Sequence, residues 1–282
     1  MYRRFDSRLA LSLSESLTLR IEAIHTHAVV TEVVDAQPAA SFFAPRPSIG
    51  RSIVLLHPAR SLVPLGIVLD DLSMARRVGE TITLHCADLT GEGVDLSMGP
   101  VHFDFDSIRI SRKIESIRSR IDSFERDFTR QKISERFQDI LRRIRSNDFS
   151  DSNRLSDSIV GLGIGSTPTG DDLLTGLLAA LDSMPFFENA KARLHAEFRE
   201  IPITRTTRTS IDMLWNASFG YYPEALRDFV HALADEQLDE SAFDRAIDRL
   251  ERLGATSGQD MMEGVFRAFC LKVGDESPAL DH

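Results

Sequence analysis

The sequence predicts an α+β protein, with a small β barrel or sandwich-like domain over residues 1–110 and an all-α helical domain over residues 111–282. Three observations carry that expectation. Before Ile110, apolar residues alternate with polar ones or fall in short runs bounded by turn residues. After it, they recur three and four positions apart, the spacing of one helix face. A glycine and aspartate motif then occurs twice in the second part, each time where a helix should begin.

In chain order, Leu17 to Ile24 alternates, Ala28 to Val34 and Ser52 to Leu56 are apolar runs, and Glu80 to Cys86 alternates again. Gly66 to Leu69, Val94 to Met98 and His102 to Ile110 are further strand candidates, with Pro45-Arg-Pro47, Gly79 and Gly91-Glu-Gly93 as breaks. Ile114, Ile117, Ile121, Phe124 and Phe128, continued by Ile133, Phe137, Ile140, Leu141 and Ile144, predict one long or two consecutive amphipathic helices. Further helices are expected from Gly170, over Phe187 to Phe198, from Ser210, over Pro223 to Leu233, over Ala242 to Leu253 and over Gly258 to Leu271.

A chain of 282 residues with 42% hydrophobic residues can bury one large core or two modest ones. The formal net charge of −10 argues against a general nucleic-acid binder and for small substrates or protein partners. Cys86 and Cys270 are too few and too far apart for a disulfide framework or a zinc site. No stretch approaches the roughly 20 apolar residues of a membrane span. The opening residues are too polar for a secretory segment, so a cytoplasmic location is expected.

The motif is Gly161-Leu-Gly-Ile-Gly165-Ser-Thr167-Pro-Thr169-Gly170-Asp171-Asp172-Leu-Leu-Thr-Gly176, echoed by Gly254-Ala-Thr256-Ser257-Gly258-Gln-Asp260-Met-Met-Glu-Gly264. Both contain Gly-x-Asp-x-x-x-Gly. The second glycine follows the aspartate by one helical turn and lies on its face, where a missing side chain lets another backbone come close. Glycines and hydroxyls leading into a helix present N–H groups to a phosphate or carboxylate, and the helix dipole favours that charge. No Gly-Lys-Ser/Thr follows, and the spacing is not that of a dinucleotide loop. The plainer alternative is that Thr169 and Asp172 are ordinary caps.

Carboxylates at an anion site repel the ligand unless a cation or proton intervenes. One resolution turns Asp172 and Asp260 inward as structural caps and leaves Asp171 toward the pocket. The other lets Asp171, Asp172 and Asp260 hold Mg²⁺ through oxygen, although no other cofactor is expected. Thr204-Arg205-Thr206-Thr207-Arg208-Thr209-Ser210, just before a helix, can supply positive charge through its arginines, or these are simply solvated. The eight histidines are scattered, with only His25 and His27 close, which is weak evidence for metal. Ser166 lacks a nucleophile-elbow pattern. In the arginine-rich stretch 112–145, Glu115, Asp122, Glu125, Asp127, Glu135 and Asp139 interleave with the basic residues, which reads as a solvated face.

Gly165-Ser-Thr-Pro-Thr-Gly-Asp-Asp-Leu-Leu-Thr-Gly176 resembles the G-x-T-P-S/T-G-D-D-x-x-x-G signature of the AllH-like family. The blocks Thr206 to Gly220 and Gly254 to Gly264 are similar to two further blocks of that family, and Pro64-Leu-Gly-Ile-Val fits its N-terminal half. The resemblance implies a subunit of oxamate carbamoyltransferase, an enzyme of allantoin breakdown that moves a carbamoyl group between oxalurate and phosphate beside two other kinds of subunit. The catalytic candidates are Asp171, the one general base in view, and Arg208, whose guanidinium can supply positive charge. The anion-binding candidates are Gly165, Ser166, Thr167, Thr169, Gly170, Thr206, Thr207, Ser210, Thr256, Ser257 and Gly258. The expected ligands are carbamoyl phosphate, oxalurate or oxamate. The alternatives are a non-catalytic carboxylate-binding or assembly subunit, and a metal-dependent hydrolase.

Overall fold

The computed structural model describes residues 2–12, 16–37, 52–85, 91–99, 101–124, 128–149 and 154–273. Pro45-Arg-Pro47, Cys86, Glu125, Asp127 and His282 lie outside them. The chain divides into two compact units, residues 1–97 with 221–224, and residues 98–220 with 225–282.

The first unit is one mixed seven-stranded sheet, curled into a half-barrel, with strand order β6-β2-β3-β4-β5-β1-β7. Its strands are β1 (Tyr2–Asp6), β2 (Ser16–His25), β3 (Ala28–Gln37), β4 (Ser52–Leu56), β5 (Gly66–Leu69), β6 (Thr81–His85) and β7 (Glu92–Val94), with a short helix α1 (Ser7–Ser12) after β1. The alternation in β2 buries Leu17, Leu19 and Ile21 and leaves Arg20 and Glu22 exposed. The buried residues join Phe5, Val29, Val33, Ile53, Leu55, Ile67 and Leu84 in one core. Leu56, Leu62, Val68 and Leu96 form a second, smaller cluster.

Two expected strands differ. Residues 101–107 are irregular, and Ser107, its side chain accepting from the Arg109 N–H, caps a helix that starts at Ile108. The 94–98 strand is replaced by β7, which pairs in parallel with β1 (Phe5↔Gly93). β1 was not expected. Tyr-Arg-Arg-Phe-Asp has no clean alternation, and its extended form is held by pairing with β5 on one side and β7 on the other.

The second unit contains α2 (Ile108–Asp122), α3 (Phe128–Ser146), α4 (Thr169–Ser183), α5 (Glu188–Arg199), α6 (Arg208–Ala217), α7 (Glu224–Ala234), α8 (Glu240–Glu251) and α9 (Ser257–Val273), though Glu224 itself belongs to the first unit. Helix α4 is almost wholly buried, as expected of a central helix, its two aspartates included. It packs along α9, and the repeated glycines decide how closely. A Cβ built on Gly176 would land on the Met261 carbonyl oxygen, and one on Gly264 would land on the Leu173 carbonyl oxygen and lie 3.1 Å from the Gly176 Cα. The two copies of the motif therefore cross at their glycines, backbone against backbone.

Candidate functional site

The motif copies begin α4 and α9 in the same way. Gly170 N–H donates to the Leu162 carbonyl at 2.9 Å, and Gly258 N–H donates to the Leu253 carbonyl at 2.9 Å. Neither glycine has room for a side chain, since a Cβ would strike the Ile159 and Leu250 carbonyls respectively. The loop ahead of α4 turns through Gly161, Gly163 and Gly165, all at positive φ, which only glycine adopts without strain.

Hydroxyls tie three helix starts together. Thr167 Oγ1 and Ser257 Oγ lie 2.7 Å apart and join the α4 loop to α9. Thr207 caps α6 by accepting from the Ser210 N–H at 3.1 Å, and its hydroxyl donates to the Ser166 carbonyl. Thr206 Oγ1 donates to Asp171 Oδ2. The segments 165–172, 206–210 and 256–260 thus meet, with the positive ends of three helix dipoles gathered at one place. Gly165, Ser166 and Thr256 are exposed there, Thr169 and Arg208 are half-buried, and Gly170, Ser210 and Gly258 are buried.

Asp172 and Asp260 turn inward as expected, but Asp171 does so too. Asp171 does not face an open pocket. It is 0% exposed and accepts from the Gly161 N–H at 2.8 Å and from Thr206. Burial raises its pKa, opposed by the Thr206 and Gly161 hydrogen bonds, the nearby Ser210 hydroxyl and the Arg205 charge. Nor are Asp172 and Asp260 caps. Each is the fourth residue of its helix and 0% exposed, and no backbone N–H of the helix start reaches its carboxylate, which only hydroxyls approach. Burial pushes Asp172 well above the usual carboxylate range, with the Asp260 charge adding to it. Burial likewise pushes Asp260 up to about 6, against the pull of Arg130. The Arg130 guanidinium stands 2.5 Å from Asp260.

Arg130 is the site residue that sequence reasoning missed. It sits in the first turn of α3, inside the stretch read as a solvated face, and only tertiary packing brings it to Asp260. Of the other expected cations, Arg205 is exposed and donates to the Asp157 carbonyl, while Arg208 opens α6.

Residues 159–269 match the family model described as oxamate carbamoyltransferase subunit AllH. This stretch belongs to the AllH-like family. The AllH-like match takes in all three loops and the α4–α9 crossing, whereas the β sheet lies outside it. No solved structure matches the chain. None of the helices among the described residues is long and apolar enough to cross a membrane.

Proposed function

We propose that this chain is a carbamoyltransferase subunit and that the junction of the α4, α6 and α9 starts binds its small anionic substrate. The family description supplies the activity class. The observation that carries the location is the meeting of three helix N-termini under an exposed Gly165-Ser166 loop, with Arg205 and Arg208 beside it. Helix dipoles, backbone N–H groups and guanidinium groups favour phosphate and carboxylate.

In the proposed reaction, a phosphate oxygen attacks the carbamoyl carbon of oxalurate and a C–O bond forms. The C–N bond to oxamate breaks, and the departing nitrogen takes up a proton. Holding two anions together and polarising the carbonyl requires positioned donors more than covalent chemistry from the protein. Asp171, engaged by Gly161 and Thr206, then positions the loop and does not act as a base. That engagement also favours a second reading, in which this chain binds the carboxylate or holds the assembly while other subunits supply the reacting groups.

The test is carbamoyl phosphate formation from oxalurate and phosphate by the chain alone and with the other carbamoyltransferase subunits. Arg208→Ala should reduce kcat/KM by about 10-fold or more, because a charge-assisted hydrogen bond is worth ~1.5–3 kcal/mol. Full activity of that variant in the complete assembly moves the site elsewhere.

A further inference from the structure

The carboxylates of Asp172 and Asp260 pose a problem that neither capping nor anion binding solves. Both side chains are fully buried, no backbone N–H reaches their four oxygens, and only neighbouring hydroxyls and Arg130 stand against them. Asp260 has the Arg130 charge at 2.5 Å, and Arg130 in turn lies 3.8 Å from Glu263. Asp172 has no salt bridge among the described residues. Native proteins rarely leave so many buried polar atoms together without something to bind them.

We propose that Asp172 and Asp260 jointly bind one hard divalent cation, Mg²⁺ or Mn²⁺, between the starts of α4 and α9. The surrounding donors are all oxygen. The hydroxyls of Ser257 and Thr167 face Asp172, and those of Thr169 and Thr256 face Asp260. Such a set disfavours zinc and copper and suits a hard ion. Among the described residues no group of three His, Cys, Asp or Glu side chains converges on a metal. Mg²⁺ does not need one, since it commonly takes one or two protein carboxylates and fills its shell with water or substrate oxygens.

The repeat supplies a further argument. The aspartate present in both copies is the one that faces across the crossing, whereas the counterpart of Asp171 in the second copy is Gln259. A cation shared by the two copies accounts for a carboxylate in each. It also inverts the local charge, so the cluster no longer repels an anion. The cation does not depend on the carbamoyl-transfer reading.

The experiment uses the full chain, stripped with EDTA and returned to buffer at pH 7.5. Added Mn²⁺ should bind at one ion per chain by electron paramagnetic resonance. Mn²⁺ or Mg²⁺ at ~100 times its Kd should raise Tm by about 5 °C or more. Both effects should disappear in Asp172→Asn and in Asp260→Asn and persist in the surface control Glu240→Gln. Should an aspartate variant fail to fold, Ser257→Ala is expected to weaken Mn²⁺ binding several-fold. The cation is ruled out by absence of bound Mn²⁺, or by unchanged binding in the folded aspartate variants. A chain that binds no Mn²⁺ yet supports carbamoyl transfer with its partner subunits sinks the cation and leaves the transfer reading standing.

Discussion

Adjacent carboxylates at one helix start have opposite roles, and the difference lies outside their own helix. The sequence places Asp171 and Asp172 near the N-terminus of α4, but it does not show that Gly161 N–H and Thr206 reach the first while, among the described residues, no backbone N–H reaches the second. Those partners come from segments 10 and 35 residues away. Asp171→Ala removes two hydrogen bonds to a charged acceptor and is expected to lower stability by ~1.5–3 kcal/mol or more, read by chemical denaturation. Asp172→Asn should behave differently. A carboxyl whose folded pKa is raised contributes stability that is complete below its unfolded value, near 3.8, and is lost as pH rises through the folded value. Asp260, pushed up to about 6, follows the same sign. In EDTA, Asp172→Asn is therefore expected to match wild type near pH 4 and to melt increasingly higher than it as pH rises toward 8. A variant less stable than wild type at pH 8 would show that the ionised carboxylate has a stabilising partner in the fold.

At the scale of elements, what was legible was whatever the chain specifies locally. The apolar spacing over Ile114, Ile117 and Ile121 marks α2, and helices expected from Ser210 and from Ala242 appear as α6 and α8, each starting two residues earlier behind a side-chain cap, Thr207 and Asp239. What was not legible came from pairing. β1 exists because β5 and β7 flank it, and the strand expected at 102–110 gave way to a helix start at Ser107. The crossing of α4 with α9 belongs to the legible part, because the two glycines occupy matching places in the repeat and meet there. Gly176→Ala and Gly264→Ala each drive a methyl group into the facing backbone, which cannot move aside without separating the helices. Each is expected to cost on the order of 1–3 kcal/mol or more. Gly99, with nothing within 4 Å of a built Cβ, is the control, and its alanine variant should melt close to wild type. Equal melting temperatures for the Gly99 and Gly176 variants would contradict the close crossing.

At the scale of the whole molecule, the change of periodicity near Ile110 announces the α+β class, but the route of the chain is subtler than two consecutive blocks. After α6 the backbone returns to the first unit for four residues, Tyr221 to Glu224, before α7 continues the second. Those residues are anchored there by specific bonds. Tyr222 N–H donates to the Leu96 carbonyl at 3.1 Å, Glu224 N–H donates to the Leu62 carbonyl at 2.9 Å, and the Arg8 guanidinium lies 3.8 Å above the Tyr221 ring. The Glu224 carboxylate, 5% exposed, accepts from Arg4 Nη1 at 3.1 Å and from the Leu62 N–H at 3.3 Å. Sequence reading saw only a helix beginning near Pro223, since a four-residue excursion has no periodicity of its own. Arg4→Ala leaves a nearly buried carboxylate without its cation, and the penalty for that is larger than the worth of the pair itself. Its expected cost is about 1.5–3 kcal/mol, with faster hydrogen exchange at Tyr222 and Glu224. Glu224→Gln in the same background should recover part of the loss, because the amide keeps an acceptor for the Leu62 N–H and no longer carries charge. A double-mutant cycle over Arg4 and Glu224 should then show coupling, whereas additive effects would mean that the excursion is held by its backbone bonds alone.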